Sequence, residues 1–585
     1  MPIHNEDIAQ VFDKIADLLE IQGENAFRVR AYRNGARELR GLGQEAAQLL
    51  EAGADLTDLP GIGTALAAKI AEIVHTGTCQ ALKKLERELP ADLPELLRLP
   101  GLGPKRVHAL HYDLDIHTPE QLFRAAKDGR LRDLPGFGPK TEAALRAALE
   151  THFTSQPRCK LATAARYAEP LVAWLRQTPG VDRVVVAGSY RRGQETVGDL
   201  DILVTAAQPA AAIARLRDYE EVVQVLEAGE TRATVLLRAG LQVDLRAVAV
   251  NCFGAALHYF TGSKAHSIAL RTQARALGLK INEYGVFRGR QRLAGETEES
   301  VYAALGLPYI PPELRENRGE IEAARRGLLP ELVTLADLRG DLHCHTNATD
   351  GHASLLEMVA AARQRGRDYL AITDHSKRLT MAHGLDSRRL LEQMAAIDRL
   401  NERLASERPA SEGVAFRVLK GIEVDILPDG GLDLPDEVLG QLDLVVAGVH
   451  SQFHLSRADQ TRRVLKAMDH PYFTILSHPT GRLIAEREPY DIDMTRVIRQ
   501  ARDRGCYLEL NAHPERLDLS DLHCQMAREE GVLISIASDA HSLQDLDDLR
   551  YGIAQARRGW LTKGDVLNSR PLNDLLPLLR RTFHG

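Results

Sequence analysis

The sequence predicts a multidomain protein in which an all-helical N-terminal region, an α+β middle region and a C-terminal α/β barrel follow one another. The chain has 585 residues, more than one hydrophobic core normally holds. Its first 150 residues have helical periodicity and internal repeats, whereas valine-rich alternating strands begin near residue 160. Beyond residue 341, short apolar strands alternate with helical stretches, which is typical of a barrel with its site at the strand C-termini.

Composition favours a soluble protein of the cytoplasm. The hydrophobic fraction is 44% and the charged fraction 26%, which are ordinary values for globular proteins. No apolar run approaches the roughly 20 residues that span a bilayer, and the N-terminus does not resemble a signal peptide. The six cysteines form no CxxC pair, so we expect reduced thiols. We therefore expect a cytoplasmic protein with no membrane partner, and we also expect it to be a monomer.

Charge is distributed unevenly along the chain. The net charge is −7, but residues 261–292 carry seven basic side chains against one acid, Glu283. A solvated helix face usually mixes both signs, so this bias favours a phosphate-rich partner.

One phrase occurs three times in the helical region, as LPGIGTALAAKI from Leu59, LPGLGPKRVHAL from Leu99 and LPGFGPKTEAAL from Leu134. Glycine permits a tight hairpin, and the helix that follows presents unpaired N–H groups to a phosphate. The phrase resembles the helix-hairpin-helix motif, which grips the DNA backbone without reading bases. One copy could be a plain helix–helix turn, but three copies favour DNA binding. The candidate DNA-binding residues are Gly61, Gly63, Gly101, Gly103, Lys105, Gly136, Gly138 and Lys140.

An acidic cluster lies in the middle region. Asp199 and Asp201 in GDLDILV share one face of a predicted strand, where like charges repel unless a cation lies between them. A third acid, Asp244, stands within another strand. Three such acids could hold two Mg²⁺ or Mn²⁺ ions about 3.5–4 Å apart, which activate a 3′-hydroxyl and neutralise a leaving pyrophosphate. The alternative is a set of solvated aspartates at a strand edge.

The turn GSYRRG, residues 188–193, ends six residues before Asp199. Its backbone N–H groups, with Arg191 and Arg192, can cradle a triphosphate. The motifs GSYRRG, GDLD, VDLR, YFTGS and INEYGVF together resemble the catalytic core of family X DNA polymerases, the group of DNA polymerase beta, over residues 1–315. The resemblance implies that Asp199, Asp201 and Asp244 bind metal and that Asp244 takes the primer hydroxyl proton.

The same resemblance implies a nucleotide site. Tyr259, Phe260 and Gly262 would lie against the sugar, and Arg271 would face the template side of the new base pair. The candidate nucleotide-binding residues are Gly188, Ser189, Arg192, Gly198, Tyr259, Phe260, Gly262, Lys264, Arg271 and Asn282. Two positions depart from the animal enzyme, which has an aspartate where Lys264 stands and a base-contacting asparagine where Ser267 stands. A lysine there could bind the base or triphosphate before the template arrives.

A third site is suggested at Lys69. This lysine stands where the animal repair polymerase has its Schiff-base lysine for removing 5′-deoxyribose phosphate, and Tyr32 matches the same lyase pocket. Ala65, however, replaces a neighbouring lysine of that pocket. The lyase interpretation and that of an ordinary surface lysine are equally supported.

The C-terminal region has acids and histidines at successive predicted strand ends. A single histidine there is more often structural, but nine ligands in this pattern favour metal binding, enough for three ions. Imidazole-rich sites favour Mn²⁺, Zn²⁺ or Fe²⁺ over Mg²⁺. The candidate ligands are His343, His345, Asp350, His375, Glu423, His450, His478, Asp539 and His541.

The pattern HxH, DH, E, H, H, DxH resembles the polymerase and histidinol phosphatase (PHP) domain family. The resemblance implies a distorted seven-stranded barrel and an active metal-dependent phosphoesterase. With the polymerase-like core, it implies a bacterial- or archaeal-type family X DNA polymerase that fills short gaps in DNA repair, including base excision repair. Its partners would be gapped or primer-template DNA and dNTPs, and the barrel would supply a 3′–5′ exonuclease or phosphodiesterase. The alternatives are a template-independent nucleotidyltransferase and a non-catalytic DNA-binding scaffold.

The expected fold class is therefore a helix-hairpin-helix N-terminal region, a nucleotidyltransferase palm with a thumb-like subdomain, and a distorted (β/α)7 PHP barrel. A proline-led, charged segment before the barrel indicates a linker. The expected domains are a lyase-like helical domain at 1–90, a second helix-hairpin-helix subdomain at 91–155, the palm at 156–260, a nucleotide-selection subdomain at 261–315, a linker at 316–340 and the PHP domain at 341–585.

Overall fold

The computed structural model divides the chain into two compact units, Met1–Pro157 and Arg158–Gly585. Among the described residues, no helix combines the length and apolar character needed to cross a membrane. The structure describes residues 5–42, 45–90, 93–97, 99, 102–132, 134, 136–138, 141–146, 149, 158–379, 382–406 and 416–583.

The first unit is helical, as predicted. One apolar cluster joins its helices, and within it the rings of Phe12 and Tyr32 meet edge to face with centroids 5.5 Å apart. The helices are α1 (Asn5–Ile21), α2 (Ala26–Gly41), α3 (Ala46–Glu51), α4 (Thr64–Thr76), α5 (Gln80–Glu88), α6 (Leu93–Leu97), α7 (Pro104–Leu114) and α8 (Pro119–Lys127).

The described glycines of the repeats adopt conformations that suit the expected hairpins. Gly61 and Gly136 have φ of +73° and +85°, a region that favours glycine. Gly63 and Gly103 are the residues immediately before α4 and α7, so both helices begin where the motif places them. Gly101 and Lys140 lie outside the described residues, as does the side chain of Lys105.

The second unit begins with a five-stranded sheet in the order β2-β4-β7-β6-β5, in which only the β4–β7 pair is parallel. A three-stranded sheet, β10-β9-β8, follows. The strands are β1 (Cys159–Lys160), β2 (Val181–Val186), β3 (Thr196–Val197), β4 (Asp199–Ala206), β5 (Val222–Ala228), β6 (Arg232–Leu237), β7 (Gln242–Ala247), β8 (Lys280–Asn282), β9 (Gly285–Arg288) and β10 (Gln291–Ala294). The helices are α9 (Leu161–Arg176), α10 (Gly188–Arg191), α11 (Pro209–Arg217), α12 (Phe253–Thr261), α13 (Lys264–Ala276) and α14 (Glu298–Ala303).

The segment expected to be a linker is ordered. It contains the helix α15 (Glu320–Arg325), and the buried Glu320 carboxylate lies 2.5 Å from Nδ1 of the buried His266 on α13. Further along, the Val333 N–H donates to the carbonyl of Leu561, near the end of the chain. The segment therefore packs against the regions on both of its sides.

The C-terminal region is a closed parallel barrel. The short strands β13 (Arg417–Lys420) and β14 (Glu423–Asp425) form one strand interrupted for two residues, so the described residues give seven strands. A parallel bridge between Cys344 and Ala540 joins the first strand to the last. The predicted distorted (β/α)7 barrel is thus confirmed. The other strands are β11 (Gly340–Asp341), β12 (Tyr369–Ile372), β15 (Val446–Gly448), β16 (Ile475–Leu476), β17 (Tyr507–Asn511) and β18 (Ile534–Ala537).

Helices surround this barrel and alternate with its strands. They are α16 (Leu355–Gln364), α17 (Ser387–Ser406), α18 (Asp436–Leu439), α19 (Arg457–Met468), α20 (Met494–Arg504), α21 (Asp521–Glu529), α22 (Leu549–Arg558) and α23 (Leu572–Arg581). Barrel residues also complete the core of the five-stranded sheet, because Ile484, Leu517 and Tyr551 belong to the same apolar cluster as Leu200 and Ile202.

Candidate active sites

The three predicted carboxylates come together on the five-stranded sheet. Along β4, Leu200 and Ile202 are buried in the core, so the alternating Asp199 and Asp201 point to the opposite face. The parallel register with β7 places Asp244 directly opposite Asp201. The pairing of these two strands, which the sequence left open, therefore makes one acidic cluster.

Mutual repulsion and burial dominate the electrostatics of this cluster. Burial raises the pKa of Asp201 to about 7, and the charges of Asp199 and Asp244 add to the effect. Burial also raises the pKa of Asp199, again with a contribution from Asp244. Three oxygen-donor carboxylates that resist ionising together fit a hard divalent cation, which would relieve the repulsion.

Asp244 is held in place by neighbours that sequence reasoning missed. Its Oδ1 accepts a hydrogen bond from Thr234 Oγ1 at 2.5 Å, and its Oδ2 accepts one from Gln242 Nε2 at 2.7 Å. Gln242 precedes Asp244 by two on the same strand face, so period-two alternation could have revealed it.

The GSYRRG turn adjoins the carboxylates. Gly188 has φ of +61°, and a Cβ on it would lie 2.6 Å from Asp201 Oδ2. The Ala187 N–H donates to the main-chain carbonyl of Asp201 at 2.6 Å. Only glycine lets the turn approach so closely, which explains the residue that opens the motif.

The two arginines of the turn have different surroundings. Arg191 forms a bidentate pair with Glu298, through Nη1–Oε1 at 2.9 Å and Nη2–Oε2 at 2.6 Å. Arg192 donates through Nε to Glu316 Oε1 at 2.9 Å and through Nη1 to the Thr261 carbonyl at 2.5 Å. The charge of Arg192 also acts to lower the pKa of Asp201, against the larger effect of burial. The structure therefore brings Arg192 to the carboxylates and engages Arg191 elsewhere.

The YFTGS segment contacts Arg192 through the Thr261 carbonyl. The ring of Tyr259 is exposed and meets that of Phe260 edge to face at 5.1 Å. The Arg246 guanidinium covers the Phe260 ring at 4.7 Å. Gly262 follows with φ of +69°.

The remaining predicted nucleotide residues lie further along the chain. Exposed Lys264 begins α13, and Arg271 on the same helix donates to the Ser267 carbonyl at 3.2 Å. Asn282 Oδ1 accepts the Tyr284 N–H at 3.0 Å. The nucleotide contacts of these residues stay predictions, as do those of Ser189 and of Gly198, which lies beside Arg158.

The predicted ligands of the barrel meet at the carboxyl ends of its strands. Eight of the nine fall into three groups whose atoms could each hold a metal ion. The groups are His345, Asp350, His375 and His541; His343, His345 and Asp539; and His375, Glu423 and His450. His345 and His375 each belong to two groups, so the three sites are contiguous.

Glu423 is central to this cluster. Its Oε2 lies 2.8 Å from His375 Nδ1, and its Oε1 lies 3.2 Å from His450 Nε2 and 3.0 Å from Nε2 of His478, the ninth predicted ligand. Burial opposes ionisation, but the imidazoles of His375, His343 and His450 hold the pKa of Glu423 well below its usual range.

The pKa of the Asp539 carboxyl is shifted in the same direction as that of Glu423. Burial opposes its ionisation, while His343 leads the neighbours that hold its pKa well below the usual range.

The cluster also contains buried polar atoms that lack a hydrogen-bond partner among the described residues, as metal ligands would. They include His343 Nε2, His345 Nδ1, Asp350 Oδ1 and His478 Nδ1.

A second layer of polar groups orients the ligands. Glu509 Oε1 lies 2.6 Å from His343 Nδ1, and Asp425 Oδ1 lies 3.3 Å from His450 Nδ1. Sequence reasoning missed both acids, although each is a polar residue inside an apolar strand, YLELNA or GIEVDI. Such partners fix the orientation of an imidazole and raise its basicity.

Lys69 lies in the helical unit on α4, and its Nζ donates to the Ala65 carbonyl at 2.9 Å. Tyr32 is 5% exposed, and burial raises the pKa of its hydroxyl. The lyase role of Lys69 stays a prediction.

Family models match the chain in five consecutive segments. They are a helix-hairpin-helix domain at 3–79, a SAM-like helix-hairpin-helix tandem at 93–151, a DNA polymerase beta palm at 166–254, a DNA polymerase beta thumb at 256–316 and a PHP domain at 341–513.

Individual proteins match as well. The DNA polymerase/3′-5′ exonuclease PolX of Bacillus subtilis is 38% identical over 583 residues, which cover 99% of this chain and all of the relative. A probable phosphatase of Thermoanaerobacter sp. is 29% identical over 39% of this chain and 89% of its own length. One from Acetivibrio thermocellus is 30% identical over 34% of this chain and 78% of its own length. The full-length match and the order of the domains show that the chain belongs to the PolX-type family X DNA polymerases, which join a polymerase beta core to a PHP domain.

Proposed function

We propose that this protein extends DNA primers by two-metal nucleotidyl transfer at the sheet and shortens 3′ ends by metal-dependent hydrolysis at the barrel. The observation that carries the proposal is the pairing of Asp201 with Asp244 beside Asp199. This arrangement concentrates negative charge beside the GSYRRG turn, because Gly188 lets the turn approach Asp201 closely. The three contiguous groups formed by eight of the predicted barrel ligands support the second activity.

At the sheet, Asp199, Asp201 and Asp244 would hold Mg²⁺ or Mn²⁺, which supplies activation of the 3′-hydroxyl and neutralisation of pyrophosphate. Asp244, held by hydrogen bonds from Thr234 and Gln242, would accept the proton of the primer hydroxyl. Arg192 and the turn would bind the triphosphate. The exposed ring of Tyr259 would lie along the sugar of the incoming dNTP.

At the barrel, the nine ligands would hold up to three ions of Mn²⁺, Zn²⁺ or Fe²⁺, which supply activation of water and charge neutralisation at the scissile phosphate. The buried anions Asp539 and Glu423 would each contribute a carboxylate to one of the three groups. We take 3′ ends of DNA as the substrate because the Bacillus subtilis relative is named a 3′-5′ exonuclease.

The substrate of the whole chain would be gapped or primer-template DNA with dNTPs. The hairpins before α4 and α7 would hold the DNA backbone through main-chain N–H groups. These sites are consistent with a cytoplasmic monomer that fills short gaps in DNA repair, including base excision repair.

The decisive experiment incubates a 5′-labelled primer on a template with and without dNTPs, in Mg²⁺ and in Mn²⁺. Extension should require dNTPs and should stop in Asp201→Asn, while shortening should continue in that variant. A His343→Ala/His345→Ala double variant should reverse the pattern, losing shortening at least 100-fold and keeping extension, because it removes two ligands of one ion and one ligand of a second. Ordinary extension by Asp201→Asn would refute the sheet assignment, and full shortening by the double variant would refute the barrel assignment.

The same primer without a template tests the alternative of a template-independent nucleotidyltransferase. Extension should fall to background when the template is omitted. Equal extension of single and paired strands would favour the alternative, and no reaction of either kind would favour a DNA-binding scaffold.

A further inference from the structure

One face of helix α22, which belongs to the barrel region, packs against the GSYRRG turn. Its residues Tyr551, Ala554 and Arg558 are spaced three and four apart, so they lie on one side of the helix. A Cβ on Gly193 would lie 3.1 Å from the Cβ of Ala554. Tyr551 belongs to the apolar cluster against which Tyr190 of the turn packs.

Arg558 completes this contact with hydrogen bonds. Its side chain is only 3% exposed, and Nη1 donates to the Arg192 carbonyl at 3.2 Å and to Glu316 Oε1 at 3.0 Å. Nη2 donates to Asp521 Oδ2 at 2.7 Å. Arg558 of the barrel region therefore contacts the main chain of the turn at Arg192. It also contacts Glu316, whose carboxylate binds the side chain of Arg192.

Glu316 is shared between the two arginines. The oxygen that accepts from Arg558 also accepts from Arg192 Nε at 2.9 Å and from Gln194 Nε2 at 2.6 Å. Burial opposes ionisation of Glu316, but Arg192 and Arg558 hold its pKa below the usual range. Without Arg558, the carboxylate would lose one of its two cationic partners and one of the three hydrogen bonds that hold its position.

The position of Glu316 determines that of the Arg192 guanidinium, since Nε and Nη1 of Arg192 are held by Glu316 and the Thr261 carbonyl. A long side chain held before its ligand arrives loses less conformational entropy on binding. The network of Arg558, Glu316 and Arg192 should therefore affect the affinity for a triphosphate more than the rate of the chemical step.

We propose that Arg558 is a positioning residue for nucleotidyl transfer, which holds Arg192 and the turn through Glu316 so that they receive a deoxynucleoside triphosphate. This inference rests on the proposed polymerase function. It gives the barrel region a role in nucleotide binding that is independent of its metal ligands.

The test uses the full chain with Arg558→Met, which keeps the apolar part of the side chain and removes its charge. Single-nucleotide gap filling should show a KM for dNTP raised about tenfold, the effect of one lost charge-assisted hydrogen bond, with kcat changed less than about twofold. Arg558→Lys should recover part of the loss. The matched control is Arg557→Met on the same helix, because Arg557 pairs with Glu313 at 2.7 Å and contacts neither Glu316 nor the turn.

A second measurement separates this inference from the polymerase proposal. The dissociation constant of a dNTP, measured in Ca²⁺ with gapped DNA, should rise about tenfold in Arg558→Met and stay unchanged in Arg557→Met. If the wild type binds dNTP but never extends, the proposed function fails while the binding comparison still decides the inference. An unchanged dissociation constant in Arg558→Met would overturn it. So would a parallel fall of kcat, exonuclease activity and thermal stability, which would indicate a purely structural residue.

Discussion

Replacing Asp201 with asparagine should stabilise the metal-free protein while abolishing nucleotide addition. Burial and the neighbouring acids raise the pKa of this carboxyl from 3.8 to about 7. At about 1.4 kcal/mol for each tenfold change in acidity, holding Asp201 ionised above pH 7 costs the folded state about 4 kcal/mol as an upper value. Asparagine has nearly the same shape and no charge, so it removes this cost.

The pH dependence has a definite sign. Because the folded state binds the Asp201 proton more tightly than the unfolded state does, wild-type stability falls as pH rises from about 4 to about 7 and then levels off. The advantage of Asp201→Asn should therefore be largest at pH 8 and should shrink progressively toward pH 5. Added Mg²⁺ should raise the unfolding temperature of the wild type and have a smaller effect on the variant.

The assay is thermal unfolding of both proteins in EDTA at pH 5 and pH 8, repeated with Mg²⁺, beside primer extension. We expect the variant to melt a few degrees above the wild type at pH 8 in EDTA. A variant that melts lower at pH 8, or a difference that does not depend on pH, would refute the electrostatic account of the cluster. Loss of nucleotide addition alone would not support the electrostatic account.

Three further predictions concern single positions. Gly188→Ala should reduce gap filling at least 100-fold in a primer-extension assay, because its Cβ would meet Asp201 Oδ2 at 2.6 Å; near-normal rates would show that the turn can move away. Glu509→Gln should weaken metal binding at the barrel about 10- to 100-fold, measured by Mn²⁺ titration of exonuclease activity, because it weakens the contact with His343 Nδ1; an unchanged titration curve would contradict this role. If Lys69 forms a Schiff base, borohydride should trap the wild type on incised abasic DNA and should not trap Lys69→Ala, whereas equal trapping of both would assign the chemistry to another amine.

The sequence was most informative where chemistry depends on local spacing. Asp199 and Asp201 are two residues apart on a strand, and His343 and His345 follow the same rule, so alternation alone places each pair on one side. Most of the barrel strands were also predictable, because six short apolar runs with polar residues near their ends follow one another beyond residue 341, whereas the number seven came from the resemblance to the PHP family. The shape of the barrel then brings these ends together.

Contacts between distant parts of the chain could not be predicted in this way. Arg191 and Arg192 are adjacent and looked equivalent, yet Arg191 pairs with Glu298 and Arg192 with Glu316. Arg558 meets Glu316 across 242 residues, and no local pattern marks that pairing. Periodicity identifies which face of an element is polar, but only the packed structure determines which partner that face meets.

The apolar cluster shared by the five-stranded sheet and the barrel has a consequence for how such a chain can evolve. Because Ile484, Leu517 and Tyr551 complete a core that also contains Leu200, deleting the barrel would expose apolar surface on the sheet. A lineage that no longer needs to degrade DNA is therefore expected to lose its histidines one by one and to retain the barrel itself. Selection on nucleotide addition alone would then preserve a domain whose own catalysis had disappeared.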